Sequence, residues 1–281
     1  MVEDPILTVR GLTKLWGRRS CGSCIATTGP ENDRNQCAEC GSIVACADVS
    51  FDLYPGEVLG IVGESGSGKS TILQTLFLDI VPEEGSVAYL GTFNDGKTNL
   101  WEASMAERRR LRSQLIGMVY QNPRDGLDLM VTAGGNIGER LLAVDWRHVG
   151  KIRAKASDYL ARTEVPLDRL DHFPAYFSGG MQQRVQIAKA LANSPSLVLL
   201  DELTTGLDIS VQAGVLDLVR DIQHRDGLSV IVVSHDLSVI RLLADRTIVM
   251  KMGRVVEQGI TDQVLEDPQH PYTQLLVSSA A

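Results

Sequence analysis

The octet Gly63-Glu64-Ser65-Gly66-Ser67-Gly68-Lys69-Ser70 follows a dense apolar run, Glu57 to Val62, and precedes TILQTLFLDI, which reads as a helix. It fits G-x-x-x-x-G-K-S/T and stands where that pattern has meaning, between a strand and a helix. Glycines let the backbone curl so that successive N–H groups and the helix N-terminus face negative charge. Lys69 suits the β and γ phosphates of a nucleotide, and the Ser70 hydroxyl suits Mg2+. The residues expected around the phosphates are Gly63, Ser65, Gly66, Gly68, Lys69, Ser70 and Thr71. A strand feeding a helix in this way implies an α/β domain.

The rest of the chain supplies such a domain. Ile6 to Val9 and Val49 to Leu53 alternate apolar and polar residues, Ser86 to Leu90 and Leu115 to Tyr120 are further strand candidates, and LVLLD and SVIVVS read as buried strands. Helical patterns at QQRVQIAKALA and VQAGVLDLVRDIQHR alternate with them, which implies a mainly parallel core sheet covered on both faces. Thr247 to Met252 and Arg254 to Gln258 form a closing hairpin turned at Gly253. Between about residues 123 and 178 the pattern is helical, as an inserted subdomain. The domain is expected to span 1–260, with 261–281 as a C-terminal extension.

LVLLD delivers Asp201 at the C-terminal end of a buried strand, where a carboxylate can hold the Mg2+ shell beside a phosphate loop. Glu202 follows as a candidate general base for an attacking water. With 281 residues, 44% of them hydrophobic, and a net charge of -8, the chain has ample length for a core and no broad basic surface for nucleic acid. Its apolar runs, such as Leu197 to Leu200, fall far short of the roughly 18–20 residues of a membrane span. The N-terminus lacks a basic region followed by a hydrophobic one, so a cytoplasmic location is expected.

Phe177-Ser178-Gly179-Gly180-Met181-Gln182-Gln183-Arg184 resembles the signature of ATP-binding cassette (ABC) ATPases. Gln121 resembles their Q-loop glutamine, Thr205-Gly206-Leu207-Asp208 their D-loop, and Ser234-His235-Asp236 their switch histidine. The resemblance covers roughly Leu7 to Gln258. It implies ATP hydrolysis in a head-to-tail homodimer, with Ser178, Gly179 and Gly180 of one subunit closing over the ATP of the other. It also implies that His235 bonds the terminal phosphate, that Gln121 joins metal and water, and that Trp16 stacks on adenine. Two departures from the family stand out. Leu203 stands where a proline usually follows the glutamate, and Phe177 and Met181 replace a commoner leucine and glutamine. Neither removes a reacting group, so hydrolysis is expected to be retained.

Within that family, QNPRDGL from Gln121 and AGGNIGERL from Ala133 closely resemble the ATPase subunit of carbon-phosphorus lyase systems, which break down phosphonates. The ending from Leu243 to Ser279 does so too. This implies lyase core subunits as partners and no membrane span of its own. FSGGMQQR and HPYTQLL also look like oligopeptide and dipeptide importer ATPases, so the subunit of a peptide, nickel or phosphonate importer is the alternative. A nucleotide-gated scaffold with little turnover is the alternative of another class.

All 5 cysteines fall between Cys21 and Cys46. Cys21, Cys24, Cys37 and Cys40 follow C-x2-C-x12-C-x2-C, two knuckles able to set four thiolates around one Zn2+ in a ribbon with no core of its own. Redox thiols and an iron-sulfur cluster are the alternatives. The insertion spans 18–45, between Trp16 and the phosphate loop, and Cys46 reads as a small buried hydrophobe.

Overall fold

The computed structural model describes residues 4–17, 21–89 and 99–280. In chain order the elements are β1 (Leu7–Trp16), β2 (Ile43–Leu53), β3 (Val58–Val62), α1 (Lys69–Leu76), β4 (Glu84–Tyr89), α2 (Met105–Gln114), β5 (Ile116–Val119), α3 (Pro123–Gly126), α4 (Ala133–Leu142) and α5 (Val149–Arg162). They continue with α6 (Gly179–Leu191), β6 (Leu197–Asp201), α7 (Ile209–Asp226), β7 (Ser229–Ser234), α8 (Leu237–Leu243), β8 (Arg246–Lys251), β9 (Arg254–Ile260), α9 (Thr261–Glu266) and α10 (Pro271–Ala280). The expected strand end at Leu90 and the start of the insertion at Arg18 lie outside the described residues. The chain divides into two compact units, Met1–Arg108 with Ile231–Ala281, and Arg109–Val230.

In the first unit, β2, β1 and β4 form an antiparallel sheet, and the neighbouring strands β7, β3, β8 and β9 follow in that order. β3 runs parallel to β8, whereas β9 returns antiparallel from β8. Every residue of β3 is buried, which explains its continuous apolar reading. β1 and β2 are longer than their alternation suggests, because their register shifts between Val9 and Leu12 and again around Lys14. At the shift Gly11 and Asp48 have φ of 61° and 54°, Gly11 N–H donates to Ser50 Oγ, and Asp48 N–H to Thr13 Oγ1. Such bulges displace the alternation by a residue, so a period-two reading breaks there. β2 accordingly takes in residues 43–45, the last part of the expected insertion.

The β8–β9 turn falls at Met252 and Gly253, with φ of 46° and 76°, the two positive values a tight hairpin needs. Gly253 N–H donates to Ser67 O at 3.1 Å and its carbonyl accepts from Ala47 N–H at 2.9 Å. The turn is thereby seated between the phosphate loop and β2.

The second unit carries the parallel pair β5–β6 and the helices α3 to α7. Residues 133–141 of α4 are largely committed to its interior. Ala133, Asn136, Ile137, Gly138 and Leu141 are buried. Asn136 donates to the carbonyls of Asp128, Val131 and Thr132 and accepts from Asp128 N–H, while Arg140 reaches the carbonyls of Arg112 and Ile116. Gly134 has no room for a side chain, since a Cβ would lie 2.6 Å from Leu170. The exposed apolar residues of this unit include Met130, Val149 and Tyr176.

Cys46, fully buried on β2, is the small hydrophobe the sequence suggests, and burial pushes its thiol up from 9.0 to about 11. Between those values the unfolded chain gives up the proton and the folded chain keeps it, so stability falls as pH rises from 9 to 11. Unfolding measurements across that range are expected to show a shallower decline in Cys46→Ala than in the parent. Equal slopes would contradict this.

Candidate functional site

In the first unit the phosphate loop is shaped by close backbone approaches. A Cβ on Gly63 would lie 2.2 Å from Met250 O, and one on Gly68 would lie 1.9 Å from Ala45 O. Gly63, Gly66 and Gly68 all have positive φ, of 155°, 79° and 103°, and at Gly66 no atom would come within 4 Å of a Cβ. The loop is therefore closed toward β2 and the hairpin and open at Gly66. Ser67 N–H donates to Glu64 O, and Glu64 N–H to the hydroxyl of Tyr272, a largely buried residue of α10. Lys69 is buried, with Nζ donating to Gly63 O at 2.8 Å and Glu64 O at 2.9 Å. An open ring of glycine peptides with a lysine at its centre, and Ser70 and Thr71 in the first turn of α1, fits a nucleotide's phosphates and their Mg2+.

Two other predicted residues belong to this unit. Trp16, at the end of β1, is 43% exposed, and the Lys14 ammonium stands 4.9 Å from its ring centroid. His235 is exposed just beyond β7, while Ser234 and Asp236 use their side chains to shape the turn into α8.

In the second unit Gln121 and Glu202 meet. Gln121 Nε2 donates to Glu202 Oε2 at 2.8 Å, and Thr205 Oγ1 donates to the same oxygen at 3.1 Å. Asp201 is buried at the end of β6. Glu202 adopts φ of 44°, an uncommon conformation for a non-glycine residue, in a turn that its carbonyl closes with Thr205 N–H. Leu203 is 2% exposed, so the residue in the usual proline's place fills the interior. Ser178 caps α6, its Oγ accepting from Met181 N–H, and is exposed together with Gly179. Gly180 has a packing reason to be glycine, because a Cβ there would lie 2.4 Å from Val211. Asp208 occupies the N-cap position of α7 and is exposed.

The cysteine knuckles converge. The Sγ atoms of Cys21, Cys24, Cys37 and Cys40 all lie within 4.8 Å of one another. The spacings are 3.6 Å from Cys21 to Cys24, 3.5 Å from Cys21 to Cys37 and 3.4 Å from Cys24 to Cys40. No disulfide joins any two of the four. Bonds of about 2.3 Å at tetrahedral angles separate zinc-bound sulfurs by roughly 3.8 Å, so the cluster fits that ion. Hydrogen bonds from the Ser42 hydroxyl and N–H hold Cys40 down at about 6, and the Cys40 N–H and Thr27 hydroxyl lower Cys37. Cys24 and Cys37 pack with Val44 and Ala47.

Some residues of consequence escape a sequence reading. Gln186, 1% exposed on α6, accepts from Tyr120 N–H at 2.7 Å and donates to Tyr120 O at 3.1 Å, fixing the backbone that leads into Gln121. Tyr272 is another, linked to Glu64 far across the chain, although it lies within HPYTQLL.

Residues 46–205 match the model of the ABC transporter family. The chain is 56% identical over 233 residues, 83% of its length and 90% of the relative's, to PhnK of Escherichia coli, provisionally described as a phosphonates utilization ATP-binding protein. It is 39% identical over 250 residues, 85% of its length and 72% of the relative's, to DppD, a dipeptide transport ATP-binding protein of Bacillus subtilis. Among solved structures, a dimeric ATP-binding cassette in a post-hydrolysis state with ADP and phosphate superposes with a TM-score of 0.74 at 29% identity, covering 91% of this chain and 98% of that one.

Replacing Gln186 with Met keeps the volume but removes both bonds to Tyr120. Gln186→Met is expected to lower stability by about 1–3 kcal/mol and to slow ATP turnover by displacing Gln121. Urea unfolding and a steady-state phosphate-release assay read the two effects, and parental values in both would contradict the assignment.

Proposed function

The chain belongs to the ABC transporter family as an ATPase, and from that premise we propose that it serves phosphonate utilization as the ATP-hydrolysing subunit of a carbon-phosphorus lyase complex. The observation that carries this reading is the higher identity to the phosphonate utilization protein than to the dipeptide transporter, over nearly the whole of the former. Among the described residues no helix is long and apolar enough to cross a membrane. The work is done on partner proteins in the cytoplasm.

ATP brings the anhydride bond that is broken, and Mg2+ spreads the charge of its phosphates. Lys69 and the N–H groups from Gly66 to Thr71 bind phosphate oxygens, with Gly63 and Ser65 completing the loop. The Ser70 hydroxyl and Gln121 would hold the metal, and Asp201 would order its water shell. Glu202 accepts the proton of the attacking water, and the Gln121 and Thr205 donors on its Oε2 orient the carboxylate for that role. His235 donates to the terminal phosphate, and Trp16 stacks on adenine. In a head-to-tail homodimer, Ser178, Gly179 and Gly180 present the N-terminus of α6 to the nucleotide of the partner, with Asp208 beside the joint. The match to a dimeric cassette supports this assembly. Closing and reopening the dimer moves the helical subdomain against the lyase core, shifting the core between states. The exposed Met130 and Tyr176 offer contacts for that partner.

The four-cysteine cluster is read as a structural Zn2+ site within the 18–45 insertion. About one zinc per chain is expected, lost when the four cysteines become serine. Absence of metal with five free thiols would contradict it.

The identity to a dipeptide transporter supports a second reading, an importer subunit. Affinity purification with and without ATP separates the two. Lyase core subunits are expected to co-purify, and membrane permeases alone would overturn the proposal. Glu202→Gln is expected to abolish turnover; unchanged slow turnover with ATP-dependent partner binding would point to a scaffold.

A further inference from the structure

The four-cysteine insertion reaches the phosphate loop directly from its second knuckle and, by way of the β8–β9 turn, from its first. From the second knuckle, Asn35 stands two residues before Cys37, and its Nδ2 donates to Gly66 O at 3.4 Å. The Asn35 carbonyl accepts from Val44 N–H at 2.8 Å, and Cys37 N–H bonds Ser42 O, so Asn35 is held on a turn that Cys37 and Cys40 close. From the first knuckle, Ile25 O, directly after Cys24, accepts from Arg254 Nη2 at 3.0 Å. Arg254 follows Gly253, whose N–H donates to Ser67 O. The Asp33 carboxylate adds an ion pair with Lys251 at 3.8 Å on the other side of the same turn.

Two successive carbonyls of the phosphate loop, Gly66 O and Ser67 O, are thus held by donors outside it. A phosphate cradle works by pointing N–H groups inward, and an inward carbonyl would set one negative oxygen against another. Donors that hold carbonyls outward prepare the loop before the anion arrives, and preparing a site in advance raises affinity by reducing what must be ordered on binding. Among the described residues, Cys24, Cys37 and Val44 of the insertion pack in a small apolar cluster with Ala47 and Leu15, and two of its members are themselves in the thiol cluster. The insertion's shape therefore depends on what the thiols hold.

We propose that the metal-held ribbon preorganises the phosphate loop for ATP, with Asn35 as the positioning residue, so that metal occupancy sets nucleotide affinity. The inference rests on the zinc reading above. It makes the insertion a sensor as well as a structural element: loss of zinc to a chelator weakens ATP binding through the Asn35–Gly66 contact, without removing any group that contacts ATP.

The test is equilibrium binding of a fluorescent ATP analogue to the full chain, zinc-loaded and chelator-stripped, in the parent and in Asn35→Ala. In the zinc-loaded protein, Asn35→Ala is expected to weaken binding about five-fold, as loss of one hydrogen bond does. Metal content and melting temperature stay at the parental values, and the KM for ATP rises with kcat unchanged. Stripping weakens the parent by at least as much, and weakens Asn35→Ala by a smaller factor than the parent, because the two changes act through one contact. Arg254→Met, which cuts the other link, is expected to weaken binding in the same zinc-dependent way. Unchanged affinity in zinc-loaded Asn35→Ala, or equal stripping factors in both proteins, overturns the inference while leaving the zinc site standing. A chain that neither carries nor takes up zinc overturns the zinc reading, and the metal dependence with it.

Discussion

The Gly68 α-carbon approaches the Ala45 carbonyl so closely that a β-carbon would lie 1.9 Å from its oxygen, and Gly63 makes the same kind of approach to Met250 O. These contacts press the phosphate loop between β2 and the β8–β9 hairpin. Their consequences spread outward. β2 has to be continuous to Ile43 to present Ala45, the hairpin has to turn tightly at Met252 and Gly253, and the C-terminal α10 supplies the Tyr272 hydroxyl to the loop from a third side. Tyr272 thereby ties the segment after residue 260 to the phosphate loop.

Much of this is legible in the sequence, for definite physical reasons. The phosphate loop is a local motif, in which glycine spacing, lysine and flanking elements sit together. β3, β6 and β7 are buried throughout, so they read as unbroken apolar runs. The hairpin is marked by its glycine, and the two cysteine pairs announce their convergence by spacing alone. β1 and β2 are harder because the bulges at Gly11 and Asp48 interrupt the alternation. Gln186 and Asn35 are harder still. An amide in a helix or loop carries no local sign that it will bond a backbone 66 or 31 residues away.

The conspicuous AGGNIGERL stretch carries a different lesson. It is where the sequence most resembles one branch of the family, yet the structure uses Asn136, Arg140 and Gly134 to join α4 to neighbouring segments of its own unit. A distinctive sequence can reflect a distinctive way of holding a subdomain together as well as a surface for a partner. Glu202 offers the converse. Its left-handed backbone and the buried Leu203 behind it show how the turn accommodates a missing proline while its carboxylate stays joined to Gln121.

In the proposed function, ATP joins two copies of this chain into the assembly that does the work. Sedimentation of Glu202→Gln, which should hold ATP without hydrolysing it, tests that claim directly. A dimer with Mg2+ and ATP and a monomer with ADP is the predicted result. A monomer that binds ATP yet never dimerises, at concentrations where the nucleotide site is saturated, would contradict it.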